Sequence, residues 1–147
     1  MKLAKFQAII LFLALINNAC TGTRPDDLGI QNNGFKNCPD KPNCVSSFAN
    51  TEEHKIAPLQ VGSDIAAAKT AVKAAVETMG NGKLINETEN YLYFEFTSSL
   101  MKYVDDVEIY FTGADGLAHV RSASRLGYSD MGANRKRIEM IRGKLAN

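Results

Sequence analysis

The sequence has no tryptophan, only four prolines and only three cysteines among its 147 residues. Three cysteines are too few for the disulfide network on which very small secreted domains depend. The chain also lacks a basic excess, because 17 basic residues face 16 acidic ones, whereas nucleic-acid-binding domains usually carry a clear surplus of positive charge. These shortages exclude a disulfide scaffold and give no support to a nucleic-acid partner.

The short motifs of several enzyme classes are absent as well. The sequence contains no Walker loop, no Gly-x-Gly-x-x-Gly, no His-Glu-x-x-His, no Cys-x-x-Cys and no Gly-x-Ser-x-Gly. We therefore predict neither a cofactor nor a metal ion. The remaining composition, 45% hydrophobic and 22% charged, is typical of a single globular domain.

The first nineteen residues predict a secretory signal that is not part of the fold. Lys2 and Lys5 give a positive start, a short apolar run follows, and the small residue Ala19 ends the segment. The run is too short to span a bilayer comfortably, and no later stretch is long and apolar enough to do so.

Cys20 comes directly after this signal, at the position where bacterial lipoproteins carry lipid on a cysteine thiol. Asn17 stands where such signals usually have a large aliphatic residue, so plain secretion and an uncleaved anchor remain open. Because Thr21 follows, the aspartate that retains some lipoproteins in the inner membrane is missing. We predict an outer-membrane lipoprotein that faces the periplasm, with residues 20–37 as the tether between the lipid and the domain.

Residues 38–147 are predicted to form one domain that begins with an arm closed by a disulfide between Cys38 and Cys44. Two cysteines six positions apart in an oxidising compartment favour pairing, and the two prolines between them restrict the loop. Free thiols, a metal site and a redox pair are the alternatives. A zinc ion would lack ligands, since His54 and His119 are not at a finger-like spacing.

Two segments show helical periodicity, and the part between them shows strand periodicity. Residues 64–79 and 130–145 place apolar side chains three or four positions apart, which predicts helices. Apolar and polar residues alternate in the four predicted strands, which lie at about 83–87, 91–97, 106–111 and 117–124. The order of helix, about four strands and helix predicts an α+β fold, a two-layer sandwich with an antiparallel sheet and both helices on one face.

One face of the predicted sheet collects charged and tyrosine side chains. A turn at residues 115–116 allows two registers: a two-residue loop sets Asp106 opposite Arg125, and a four-residue loop sets Glu108 opposite Arg121. The registers differ by two residues, so both leave the same side chains on one face. This polar face comprises Asp106, Glu108, Tyr110, His119, Arg121 and Arg125, and Tyr91, Tyr93 and Glu95 extend it.

Two interpretations of the polar face stay open. It is either a solvated surface, on which each cross-strand ion pair contributes about 0.2–1 kcal/mol, or a ligand platform. In the second case Arg121 and Arg125 would bind a carboxylate or phosphate, and the tyrosines would contact an apolar body.

A second set of candidate residues surrounds the start of the second helix. Free amides at a helix start, together with two arginines, suit an anion. The alternative is an internal network in which the arginines hold Asp105 or Asp130. The set comprises Arg125, Tyr128, Ser129, Asp130, Asn134, Arg135 and Arg137.

Several stretches, taken together, resemble a known family. They are Arg24-Pro25-x-x-Leu28-Gly29, Cys38-Pro39-x-x-Pro42-Asn43-Cys44-Val45-Ser46-Ser47, His54-x-Ile56-x-Pro58-Leu59, Val104-Asp105-Asp106-Val107-Glu108, Arg121-Ser122-Ala123-Ser124-Arg125-x-Gly127-Tyr128-Ser129-Asp130 and Asn134-Arg135-x-Arg137. In this combination, and over nearly the whole mature chain, the sequence resembles the domain-of-unknown-function 1499 family of bacterial envelope proteins. The resemblance implies the domain boundary and carries no activity with it.

We predict a non-catalytic binding or accessory protein that recognises a partner protein or a small anionic ligand through the polar face. The alternative is a small periplasmic hydrolase that uses a serine nucleophile with His54 or His119 as its base. The candidate serines are Ser122, Ser124 and Ser129.

Overall fold

The structure, a computed structural model, describes residues 21–146. The predicted signal and the predicted lipid attachment at Cys20 lie outside the described residues. The elements follow in the order β1 (Cys44–Ser46), β2 (Leu59–Gln60), α1 (Ile65–Glu77), β3 (Gly82–Glu87), β4 (Tyr91–Thr97), β5 (Val104–Phe111), β6 (Leu117–Ser124) and α2 (Ala133–Leu145).

The strands build one antiparallel sheet in the order β1-β6-β5-β4-β3, and β2 pairs with β6 on the same side as β1. The predicted α+β fold with an antiparallel sheet and two helices is confirmed. The sheet has six strands where about four were predicted. The two additional strands, β1 and β2, are three and two residues long, which is too short to show alternation in the sequence.

An aspartate at or shortly before the start of each helix accepts backbone N–H groups there. Asp64 accepts the backbone N–H of Ala67 at the start of α1, as expected of an N-cap. The α2 helix begins three residues later than predicted because the chain first makes a turn after Asp130. The Asp130 carboxylate accepts the backbone N–H groups of Gly132 and Asn134, both at 2.8 Å.

One face of the sheet is apolar and packs against both helices. Fully burying a side chain of this kind stabilises a fold by about 1.5–3 kcal/mol, so this layer supplies most of the hydrophobic stabilisation. Its principal members are Val72 and Val76 of α1, Ile138 and Ile141 of α2, and Leu92, Phe94, Phe96, Val107, Ile109, Phe111 and Val120 of the sheet.

The opposite face, the polar face, is covered by residues 21–37, here called the covering segment. Phe35 is buried against Tyr91 and Tyr93, and Leu28 and Ile30 pack on the same cluster. The expectation of a solvated sheet surface is therefore wrong. Whether the same segment also links the domain to a membrane stays a prediction.

The covering segment folds back on itself at residues 31–34. Gln31 and Gly34 exchange two backbone hydrogen bonds, at 2.7 and 3.0 Å. Asn32 and Asn33 between them both have a positive φ, a conformation that asparagine tolerates better than most residues. This tight turn returns the chain to the sheet so that Phe35 reaches its buried position.

A disulfide joins Cys38 to Cys44, as predicted, with the two Cα atoms 5.6 Å apart. The disulfide closes the loop between the covering segment and β1, so it fixes the end of that segment relative to β1. Within residues 21–146, neither helix combines the length and the apolar character needed to cross a bilayer.

Candidate functional site

Glu108 and Arg121 form an ion pair on the polar face. The β5–β6 register sets them opposite each other, which corresponds to the four-residue loop, and Arg121 Nη1 donates to Glu108 Oε2 across 3.2 Å. The other carboxylate oxygen accepts the Gly29 backbone N–H at 2.7 Å and the Tyr91 hydroxyl at 3.0 Å. A single buried carboxylate, 1% exposed, therefore joins two neighbouring strands to the covering segment.

Burial governs the ionisation of the groups around this pair. It raises the pKa of Glu108, although hydrogen bonds from Gly29, Tyr91 and Arg121 act in the opposite direction. Burial and the nearby carboxylates also raise the pKa of Tyr91 and of Tyr93. Both hydroxyls consequently remain protonated hydrogen-bond donors at any physiological pH.

Arg125 is the centre of a second buried cluster on the same face. Its Nη2 donates to Asp106 Oδ1 at 2.7 Å and also contacts Glu95, while the Tyr93 hydroxyl donates to Asp106 Oδ1 at 2.6 Å. Arg24 of the covering segment donates from Nε to Glu95 across 2.6 Å. Burial alone would raise the pKa of Glu95, but the hydrogen bonds from Arg24 and Arg125 outweigh it and bring that pKa to about 2.

The charged residues of the polar face are thus held by one another and by the covering segment. Asp106, Glu108, Arg121 and Arg125 were predicted as ligand-binding residues, and the structure brings all four onto one face. Arg121 Nε is a buried atom without a hydrogen-bond partner among the described residues, so one donor is left unused. These ion pairs therefore form mainly a scaffold, which holds the covering segment in place on the sheet.

Beside these ion pairs the covering segment leaves a cleft of about 690 Å³ open. Tyrosines of β4 and β5 line it from the sheet, apolar residues line it from the covering segment, and β3 borders it. The side chains that matter for its chemistry are Arg24, Leu28, Ile30, Ile85, Tyr91, Tyr93 and Tyr110. Its wall is mostly apolar and aromatic, with a half-exposed arginine (51% of the side chain exposed), a composition typical of small-molecule sites.

Of the cleft residues, Tyr110 is a predicted site residue, and Tyr91 and Tyr93 belong to the predicted extension of the polar face. Arg24 and Leu28 are not among the predicted site residues, since they lie in the segment interpreted as a tether. The alternation of Leu28 and Ile30 with glycine was the available signal that this segment packs against a sheet.

The second set of predicted residues does not come together as one site. Arg125 lies on the polar face, whereas Asn134 lies beneath α2 on the helix side of the sheet. Arg135 donates to the Glu53 carbonyl at 3.0 Å near the surface, and Tyr128 is exposed. The amides that would suit an anion at the start of α2 are already bound to Asp130.

Asn134 instead holds the start of α2 onto the sheet. It is fully buried, and its amide group donates to the Asn43 carbonyl, Ser124 Oγ and Asp130. Its Oδ1 accepts the Ser122 hydroxyl at 2.6 Å. Every one of these contacts is internal, so the arrangement is that of a structural network.

One serine and one histidine do lie within hydrogen-bond reach. Ser47 Oγ is 3.0 Å from His119 Nδ1, and the ring of Phe48 stacks on His119 with a centroid distance of 4.2 Å. Burial lowers the pKa of His119, which keeps the imidazole neutral. Among the described residues no carboxylate accepts a hydrogen bond from this histidine, so the third member of a triad is missing.

Of the predicted candidates, His119 is the histidine in this contact, whereas Ser122 and His54 are engaged elsewhere. Ser122 is fully buried and bound to Asn134, and the His54 ring lies 3.0 Å from the Cys44 carbonyl. Within residues 21–146, no group of three histidine, cysteine or acidic side chains is arranged so that it could hold a metal ion.

Comparison with known proteins gives one match. A family model described as Protein of unknown function (DUF1499) matches residues 35–145, which include all six strands, both helices and the sheet side of the cleft. No curated protein and no solved structure matches the chain. The covering segment before residue 35 lies outside the matched region. Because the match extends over about three quarters of the sequence, the chain belongs to the DUF1499 family.

Proposed function

We propose that this protein is a non-catalytic binding protein of the bacterial cell envelope, whose small anionic ligand occupies the cleft between the covering segment and the sheet. In this proposal lipid on Cys20 holds the chain to the outer membrane, and the domain faces the periplasm. The observation that carries the binding proposal is the cleft itself, since a space of about 690 Å³ beside a rigid charged scaffold suits a small molecule.

The lining supports a ligand with a flat apolar body and one negative group. Tyr91, Tyr93 and Tyr110 offer aromatic surface, and Leu28 adds aliphatic surface. Arg24 is half exposed, and its guanidinium lies 5.9 Å from the Tyr93 ring centroid. An arginine beside an aromatic face can pair with a carboxylate while the body of the ligand rests on the ring.

The buried ion pairs have a supporting role in this proposal. Glu108 fixes Gly29, and Glu95 fixes Arg24, so the wall of the cleft is held at a defined distance from its tyrosines. A pre-organised wall lowers the entropic cost of binding, because less of the chain must be ordered by the ligand. The charged residues of the polar face thus contribute to ligand binding indirectly, by holding the covering segment in position.

The proposal is tested by calorimetric titration of the full chain, purified in detergent, with naphthoate, an aromatic carboxylate that matches the lining. We expect Arg24→Ala to weaken binding about tenfold, which corresponds to one charge-assisted contact of about 1.4 kcal/mol. Asn86→Trp places a large ring in the cleft from the exposed side of β3 and should abolish binding. Lys144→Ala removes an exposed cation far from the cleft and serves as the matched control.

Equal naphthoate affinity in wild type, Arg24→Ala and Asn86→Trp would contradict the proposal, as would no binding by the wild type. Circular dichroism of each variant separates a lost site from a lost fold. Empty detergent micelles provide the blank for partition of the probe.

A hydrolase remains the alternative function, and the contact between Ser47 and His119 is the observation that favours it. A neutral histidine beside a hydroxyl is the minimum for nucleophilic catalysis. Against it, Ser47 Oγ also accepts the Val120 backbone N–H at 2.9 Å, so the hydroxyl is part of the edge pairing of β6. Labelling with a fluorophosphonate distinguishes the two functions, because only an activated serine reacts.

A further inference from the structure

Among the residues that the structure describes, the loops at one end of the sheet carry most of the large exposed apolar side chains. One loop, residues 98–103, joins β4 to β5, and the other, residues 125–131, leads from β6 to α2. They are neighbours, since Asp105 pairs with Ser124 and the Arg125 N–H donates to the Val104 carbonyl. This apolar tip comprises Leu100, Met101, Tyr103, Leu126, Tyr128 and Met131.

Within residues 21–146 these side chains take no part in the hydrophobic packing. None of them belongs to either hydrophobic cluster, and Leu100 and Met131 are 86% and 98% exposed. Met131 also has a φ of 53°, a left-handed conformation that glycine or asparagine would adopt with less strain. A group of exposed apolar side chains on two adjacent loops marks a surface that contacts something other than water.

The position of the N-terminal chain indicates what that surface contacts. The covering segment begins at this end, where Gly22 lies so close to Arg125 and Leu126 that a Cβ on it would be 2.9 Å and 3.1 Å from their side chains. Two residues of chain span at most about 7 Å. A lipid on Cys20 would therefore enter the bilayer next to the apolar tip.

The chemistry of the tip suits a lipid surface better than a charged protein. Leucine and methionine provide insertable apolar groups, and tyrosine is enriched where a membrane meets water. Lys102 is exposed in the same loop, and its ammonium can reach anionic headgroups while its stem stays apolar. Asp130 is the acidic residue of the two loops, and its carboxylate is bound to the amides at the start of α2.

We propose that the apolar tip inserts into the interface of the membrane to which the protein is anchored, so that the sheet stands upright on the bilayer. This inference rests on the anchor at Cys20 in the proposed function and is independent of ligand binding. The cleft lies toward the other end of the sheet, where β4 begins at Tyr91 and β5 ends directly after Tyr110. Docking by the tip consequently leaves the cleft open to the periplasm.

The absence of tryptophan makes a fluorescence test direct, because a single introduced tryptophan is the sole one in the chain. We would place it at the tip in Met131→Trp and Leu100→Trp, and at the opposite end in the matched control Glu89→Trp. All three positions are exposed, so each variant should fold. The full chain is reconstituted into phosphatidylethanolamine–phosphatidylglycerol vesicles, with and without brominated acyl chains.

We expect the two tip variants to show blue-shifted emission and to lose roughly half of it in brominated vesicles, since interfacial side chains lie about 5–10 Å into the acyl boundary. The Glu89→Trp variant should show neither change. If the protein floats with the vesicles but the tip variants behave like the control, the anchor stands and the docking proposal is overturned. A blue shift without quenching places the tip against protein and overturns it as well.

If the chain does not float with vesicles at all, the anchor in the proposed function fails, and the docking proposal fails with it. Naphthoate binding is measured in a separate experiment, which tests the cleft as a ligand site independently of the membrane anchor. Conversely, a chain that docks by its tip and binds no naphthoate would keep the docking proposal and reject the ligand.

Discussion

Gly29 donates its backbone N–H to the carboxylate of Glu108 across 2.7 Å, and this carboxylate is almost completely withdrawn from water. An amide of the covering segment and a carboxylate of β5 are thereby bound together. A buried hydrogen bond to a charged group stabilises by about 1.5–3 kcal/mol, so the segment is held firmly on the sheet. The cleft beside it therefore has a wall that stays in place.

Arg125→Ala should lower the free energy of unfolding by about 3–5 kcal/mol. The change leaves Asp106 buried with one charged partner removed, and an unpaired buried carboxylate is costly. Arg135→Ala is the matched comparison, since Arg135 makes one exposed hydrogen bond to a carbonyl and should cost less than about 1 kcal/mol. Urea unfolding of both variants measures the difference. Similar values for the two arginines would mean that the Arg125 cluster is not a scaffold.

Glu95 should make the protein lose stability in acid. Its pKa is about 2 in the folded protein against an ordinary value of 4.5, so the unfolded chain takes up the proton first as the pH falls. The stability that Glu95 contributes is therefore present above about pH 4.5 and is lost as the pH falls toward 2. Glu95→Gln should be less stable at neutral pH and lose less between about pH 5 and pH 2.

Urea unfolding across this range, with exposed Glu89→Gln as the control, provides the test of the acid effect. Glu89→Gln should follow the wild-type curve. If Glu95→Gln also runs parallel to wild type, the hydrogen bonds from Arg24 and Arg125 do not stabilise the Glu95 carboxylate.

Gly82→Ala should destabilise the fold by about 1–3 kcal/mol through overpacking. A Cβ at this position would lie 2.5 Å from Val76 Cγ1 and 2.7 Å from the Phe96 ring, between α1 and the edge of the sheet. Gly143→Ala is the matched control, because within residues 21–146 a Cβ there meets no heavy atom within 4 Å beyond its chain neighbours and the backbone of its own helix. In a helix this second change should stabilise by about 0.5–1 kcal/mol. If both variants shift the midpoint of thermal unfolding in the same direction, the close packing around Gly82 is contradicted.

The alternation of residues was sufficient to predict the four longer strands of the sheet and its two faces, but not β1 and β2. Phe94 and Phe96 face the helices, whereas Tyr93 and Glu95 face away, as a period of two requires. The register of the β5–β6 hairpin was left between two choices, because a turn at residues 115–116 accepts a loop of either length. The pairing of Glu108 with Arg121 resolves that choice.

The packing of the covering segment was missed although Leu28 and Ile30 alternate with Gly29, because so short a pattern does not distinguish a packed segment from a tether. Leu28 and Ile30 are only partly buried, and Phe35 reaches its buried position because the turn at residues 31–34 returns the chain to the sheet. The diagonal contact between Arg125 and Asp106 could not be predicted from the sequence either. Asp106 faces Ala123 in the ladder, and the long arginine reaches it along the diagonal, which strand periodicity does not specify.

Ser47→Ala should leave naphthoate binding unchanged. The hydroxyl lies against His119 and the backbone of Val120, and Ser47 is not among the residues that line the cleft. The wild-type chain should not react with a fluorophosphonate at Ser47. Labelling that disappears in both Ser47→Ala and His119→Ala would instead establish the hydrolase alternative.

The most direct measurement of the central claim is an NMR titration of the isotopically labelled full chain with naphthoate. If the cleft is the ligand site, the amide signals of Arg24, Ile85 and Tyr110 shift with a common dissociation constant, and those of the apolar tip do not. Shifts confined to the tip, or the absence of any shift at saturating naphthoate, would contradict the assignment of the cleft as a binding site.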